Sequence, residues 1–120
     1  MSEYVLYHNP RCSKSRAALG LLQTRGVETR VVHYLETPPD AAALRAVVDA
    51  LGVPARALLR TGEDDYGALG LGDPALDDAR AIAAMVAYPN LIERPILVHG
   101  DRAVIGRPPE RVLELVDSQG

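Results

Sequence analysis

In this 120-residue chain, the groups best suited to chemistry are concentrated in His8-Asn9-Pro10-Arg11-Cys12-Ser13-Lys14-Ser15-Arg16. The stretch holds the only cysteine, with cations on both sides. A free cysteine is often a small buried apolar residue, but polar and charged neighbours on both flanks do not make a core site. A helical pattern begins at Ser13, so Cys12 falls at a helix start. Unpaired backbone N–H groups and the helix dipole favour an anion there, which makes the thiolate of Cys12 the expected nucleophile. Arg11, Lys14 and Arg16 add positive charge to the same neighbourhood, and a small oxyanion could sit beside the sulfur.

Spacing narrows the thiol's chemistry. A phosphatase-type Cys-x5-Arg loop needs Arg at position 18, where the chain has Ala18, and a Cys-x-x-Cys centre needs a second thiol at position 15, where it has Ser15. A redox-active Cys12 must therefore be resolved by a thiol from another molecule, which in a cytoplasm points to glutathione or a glutaredoxin. His8 is a candidate general acid/base or dipole for Cys12, and equally a structural residue at a strand end. No spacing supports a papain-like pair of Cys12 with His8, His33 or His99.

The elements that must position these groups can be read from periodicity. Tyr4-Val5-Leu6-Tyr7 reads as a strand stopped by His8-Asn9-Pro10. Ser13 to Arg25 reads as a helix with Ala18, Leu19, Leu21 and Leu22 on its apolar face and Gly26 as its stop. Thr29 to Leu35 reads as a second strand, completing a right-handed β-α-β unit. Beyond Glu36 the chain reads as helical to about residue 90. Leu44, Val47, Val48 and Leu51 mark a helix ended by Gly52, a short helix runs from Pro54 to Arg60, and a Gly-rich acidic stretch spans Thr61 to Pro74. Asp77 or Asp78 then starts a helix that ends near Pro89. Ile96-Leu97-Val98 and Ala103-Val104-Ile105 form a hairpin across His99-Gly100-Asp101-Arg102, and Gly106-Arg107-Pro108-Pro109 leads to a last helix with Val112, Leu113 and Val116 inward. The order β-α-β, helical insert at about 37–90, β-β-α is that of an α/β, thioredoxin-like three-layer domain with a mixed four-stranded sheet, a single domain over residues 1–120.

Composition excludes several classes. A formal net charge of -3, only 4% aromatic residues and no Trp or Phe argue against a nucleic-acid partner. All basic residues but Lys14 are Arg, so an Arg carries weight only in a specific context. No apolar run approaches the roughly 18 residues of a membrane span, and the first residues lack a signal-peptide layout, so the expectation is a soluble, cytoplasmic protein with no membrane partner. The single cysteine excludes an internal disulfide and a Cys-rich zinc site, and the lack of a phosphate-binding Gly-rich motif or ligand cluster fits an expectation of no metal and no bound cofactor.

The stretch Tyr7 to Arg16 resembles the signature of the glutaredoxin-coupled arsenate reductases, a loop of His-Asn-Pro, one residue, Cys, two residues, Ser-Arg. The resemblance continues through His33-Tyr34-Leu35-Glu36-Thr37-Pro38-Pro39, Arg56 to Arg60, Arg94-Pro95-Ile96 and Gly106-Arg107-Pro108, and so spans nearly the whole chain. It implies that Cys12 is the catalytic nucleophile towards arsenate, with Arg60, Arg94 and Arg107 binding the oxyanion. A doubly charged tetrahedral anion suits guanidinium forks that stay charged at any working pH. Supporting roles fall to His8, to Arg16, to Ser15 as a hydrogen-bond partner of the thiolate or adduct, and to Pro95 at the usual cis-proline position of the fold. In the implied mechanism Cys12 forms a covalent adduct with arsenate, and glutathione, as co-substrate, and glutaredoxin then reduce it to arsenite. Between Cys12 and Ser15 the chain has Ser13-Lys14, where the arsenate-resistance enzymes have Gly-Thr. Two other readings share the fold: an Spx-like redox-sensing regulator of RNA polymerase, which needs the second thiol replaced here by Ser15, and an oxidoreductase acting on glutathione mixed disulfides.

Overall fold

A computed structural model describes residues 3–117. Chain contacts divide it into two compact units, residues 1–37 with 94–120 and residues 38–93.

The first unit is built on a four-stranded sheet: β1 (Tyr4–His8), β2 (Thr29–His33), β3 (Ile96–His99) and β4 (Arg102–Ile105), in the order β2-β1-β3-β4. β1 and β2 run parallel, while β1–β3 and β3–β4 are antiparallel. The parallel pair requires a crossover, and α1 (Ser13–Thr24) supplies it. Gly26 follows in the left-handed region, φ 71°, which an L side chain adopts only under strain. Burial alternates along β1, so Leu6 and His8 share the covered face. Leu6 pairs with Leu97, and Leu97 with Val104, giving an apolar row across three strands. Ala18 and Leu22 of α1 and Val112 and Leu115 of α5 (Val112–Asp117) pack on that row. Leu6, Leu22 and Leu97 are fully buried, each contributing roughly 1.5–3 kcal/mol of transfer free energy.

Three details depart from the sequence reading of this unit. β2 ends at His33 rather than Leu35, because the N–H groups of Glu36 and Thr37 both donate to the His33 carbonyl and turn the chain. In α5 the deeply buried positions are Val112 and Leu115, whereas Leu113 and Val116 are only partly covered. In α1 the buried set is Ser15, Ala18 and Leu22, so a hydroxyl occupies a place that periodicity alone assigns to an apolar residue.

The second unit corresponds to the helical stretch expected at about 37–90. α2 (Ala41–Leu51) begins where the Asp40 carboxylate accepts the Ala43 N–H at 2.8 Å and ends at Gly52, φ 69°. α4 (Asp78–Ala87) is capped in the same way by Asp77, which accepts the Arg80 N–H at 2.9 Å. The Pro54–Arg60 helix contracts to a single 3-10 turn, Ala55–Leu58, whose first N–H is taken by the Asp78 carboxylate. The acidic stretch contains a helix that periodicity does not announce, α3 (Asp64–Ala68). It buries no residue, and Asp64 and Asp65 in its first turn complement the dipole. Leu59 and Ile92 form an isolated antiparallel bridge, flanked by Arg60 N–H to Leu91 O and Glu93 N–H to Leu58 O, both 2.8 Å.

Candidate active site

Strand register determines what meets at one edge of the sheet. His8 ends β1 opposite His33, the last residue of β2. Tyr7 pairs with Ile96, so the chain entering β3 through Arg94-Pro95 lies beside the exit of β1. Ile96 pairs with Ile105, which sets Gly106 against Pro95, with the Gly106 N–H donating to the Pro95 carbonyl at 2.8 Å. The turn carrying Cys12, the Arg94-Pro95 step and the Gly106-Arg107 step therefore share that edge.

Cys12 is the N-cap residue of α1 and is partly buried. Its N–H donates to Asn9 O and its carbonyl accepts from Arg16 N–H, both at 3.0 Å, so the thiol stands on a turn joined at both ends. The Asn9 side-chain oxygen accepts the Arg11 N–H at 3.0 Å, and the Arg16 guanidinium donates to the Pro10 carbonyl at 2.9 Å. Ser15, with no exposed surface, accepts the Asn9 N–H at 3.0 Å and lies 2.6 Å from His8 Nδ1. The Ser15 oxygen can accept the Asn9 N–H and still either donate to or accept from His8 Nδ1, and the imidazole tautomer sets which of the two gives the proton. Burial, then the nearby His33 and Arg16, push His8 below its ordinary pKa of 6.5, keeping it neutral at neutral pH. The hydroxyl expected to face the thiol thus has loop and strand partners: it ties the strand end, the turn and the first helical turn together.

Two arginines of the expected trio flank the other side of the edge. The Arg94–Pro95 peptide bond is cis, as is Arg107–Pro108, which the sequence reading did not anticipate. Pro95 is fully buried, and Arg94 has its Nε and Nη1 atoms buried. The Arg107 guanidinium donates to the Arg94 carbonyl at 3.1 Å, bracing one arginine's backbone with the other's side chain. Gly106 suits this close packing, because a Cβ there would lie 2.8 Å from Pro95 Cγ and 2.9 Å from Val112 Cγ1, so that one of them would have to move.

Arg60 belongs to the second unit and carries its own counter-charges. Its Nη1 bonds Glu63 at 3.0 Å and its Nε lies 3.8 Å from Glu93. Glu63 also accepts the Asn90 amide at 3.0 Å. Asn90 and then Arg60 hold its carboxyl below the ordinary range against the opposing effect of burial. Glu63, Glu93 and Asn90 are absent from the sequence reading. Only the i,i+3 spacing of Arg60 and Glu63 hinted at any of them.

Among the described residues no group of three or more His, Cys, Asp or Glu could hold a metal ion, and no helix is long and apolar enough to cross a membrane.

A mixed four-stranded sheet with a lone cysteine at a helix start, and a cis-proline leading into β3 at the same edge, defines a single-thiol site on a thioredoxin-like fold. The ArsC family profile matches residues 7–115, and the chain belongs to that family. It is 46% identical to an arsenate reductase of Neisseria meningitidis, over 93% of this chain and 97% of that protein. It is 56% identical to a protein of Escherichia coli K12 named uncharacterized protein YfgD, over 92% of this chain and 94% of that one. Among solved structures, an arsenate reductase from Vibrio cholerae superposes with a TM-score of 0.90 at 47% identity, covering 94% of this chain and 97% of the other.

Proposed function

We propose that the protein is an arsenate reductase that draws its electrons from glutathione and glutaredoxin. The observation that carries this reading is the sheet edge, where the Cys12 helix start, Arg94-Pro95 and Gly106-Arg107 come together by strand register. The Cys12 thiolate attacks arsenic, an S–As bond forms, and an arsenate oxygen leaves as water. Arg94 and Arg107, with Arg60, bind the oxyanion and the charge of the adduct, each guanidinium matching a pair of oxygens. A glutathione thiolate then attacks the Cys12 sulfur. The S–As bond breaks with its electron pair remaining on arsenic, arsenite leaves, and Cys12 is left in a mixed disulfide. Glutaredoxin takes over the glutathionyl group by thiol–disulfide exchange and returns Cys12 to the thiol. With one cysteine in the chain, this outside resolution is the route available. His8, Ser15 and Arg16 keep the turn in place while the sulfur changes partners. Such chemistry belongs in a compartment that keeps thiols reduced, the cytoplasm.

The test is steady-state arsenate reduction with glutathione and a glutaredoxin, followed as NADPH consumption through glutathione reductase. Turnover by the wild type, reduced to background in Cys12→Ser, is the expected result. A folded wild type that shows none overturns the reading.

A further inference from the structure

Beside the thiol turn, where β1 and β2 end, the first unit has a cavity of about 260 Å³. Its walls are the His8 and His33 rings, edge-to-face with centroids 5.7 Å apart, together with Pro10 and Leu35. Leu35 is 47% exposed, the most exposed of the large apolar side chains among the described residues, and here it lines a cleft. The fixed charges of the lining are one cation, Arg11, and one anion, Glu36. Both stand on turns with defined backbone bonds: the Arg11 N–H is held by the Asn9 side chain and the Glu36 N–H by the His33 carbonyl at 2.9 Å. His8, kept neutral, adds a polar surface without a competing charge.

One cation, one anion and a short apolar wall match a ligand group that carries a carboxylate and an ammonium close together. That is the free end of an α-amino acid or of a γ-linked peptide. At about 260 Å³ the cavity is smaller than the roughly 300–1,000 Å³ that encloses a whole drug-sized ligand, so it suits one end of such a molecule. Arg11 is bonded directly to Cys12, so an occupant held by Arg11 lies against the thiol turn. We propose that this cleft binds the free amino-acid end of the low-molecular-weight peptide thiol that reacts at Cys12, Arg11 taking its carboxylate and Glu36 its ammonium. The inference rests on the reading above, in which such a thiol attacks at Cys12.

The direct test needs no turnover. The 15N-labelled Cys12→Ser chain is titrated with S-methylglutathione, which has no thiol to react. Shifts confined to Arg11, His33, Leu35, Glu36 and their neighbours are expected, with binding weakened about three- to fivefold by Glu36→Gln, the size of one solvent-accessible charge pair. N-acetyl-S-methylglutathione, which lacks the ammonium, should bind the parent chain as weakly as S-methylglutathione binds Glu36→Gln, with no further loss when the two changes are combined. In the coupled assay, Glu36→Gln should raise the glutathione KM by a similar factor without moving the arsenate KM. Absence of shifts in the cleft, shifts that appear only with a glutathionylated glutaredoxin, or equal binding by parent and Glu36→Gln would overturn the assignment. Cleft binding by a chain that reduces no arsenate would leave the cleft standing and refute the reductase reading. Arsenate turnover without cleft binding would do the reverse.

Discussion

Behind Cys12 the Ser15 hydroxyl joins Asn9 to His8 through neutral hydrogen bonds, with Ser15 at 0% and His8 at 4% exposure, whereas Arg60 is held by the carboxylates of Glu63 and Glu93 at partly open positions. The two arrangements suit different tasks. A neutral network is little affected by salt and sets no charge of its own beside the sulfur, so in the proposed reaction it would hold the Cys12 turn without competing for the sulfur's partners. An arginine already paired with carboxylates keeps its guanidinium ordered, and in the proposed reaction Arg60 would exchange those partners for the incoming anion.

The largest effect should come from breaking the neutral side. Ser15→Ala leaves the Asn9 N–H and His8 Nδ1 without their partner, and urea denaturation should show a loss of about 3 kcal/mol, from two polar groups at 1–3 kcal/mol each. Little or no change would mean that the network is ornamental. Next is Gly106→Ala, whose methyl must displace Pro95 or Val112. We expect about 2 kcal/mol of destabilisation, in the range of core overpacking, and a higher arsenate KM as the Arg94 and Arg107 backbone shifts.

A smaller effect should appear with pH. Because the folded state holds His8 below 6.5, its contribution to stability is complete above that pH and is lost as pH falls through the unfolded value towards the folded one. Wild-type stability should therefore decline on acidification below about 6.5, and His8→Asn should flatten that part of the profile. An unchanged slope in the variant would assign the decline elsewhere. The smallest change belongs to the charged side. Glu63→Gln should cost no more than about 1 kcal/mol, as expected for a partly exposed ion pair. It should also lower the arsenate KM by up to about threefold, since one competitor for Arg60 is gone. A higher KM would make Glu63 a positioning residue of Arg60 instead of its competitor.

The same contrast separates what could be read along the chain from what could not. Asp40 and Gly52 bracket α2 where cap chemistry puts them, and Asp77 starts α4, because caps and left-handed glycines act within a few residues of themselves. The hairpin at Gly100 and the crossover through α1 follow from local pattern as well. α3 is not legible in the sequence, because a five-residue helix with no buried face leaves no apolar period to detect. The end of β2 is not legible in the sequence, because β-formers continue through Tyr34 and Leu35 past the point where the His33 carbonyl turns the chain.

By itself, the order of residues determined a β-α-β start with the lone thiol at a helix N-terminus, while Arg60, Arg94 and Arg107 stand out from the other arginines only through the family resemblance. Tertiary structure alone decided which groups touch: Ser15 meets His8, Arg107 braces the Arg94 carbonyl thirteen residues away, and Asn90 reaches back to Glu63. The physical reason is range. Periodicity and capping are governed by neighbours within one or two turns, while the partner of a buried hydroxyl or guanidinium is chosen by strand register and by burial, which demands that each polar group covered by the fold find a partner wherever packing brings one.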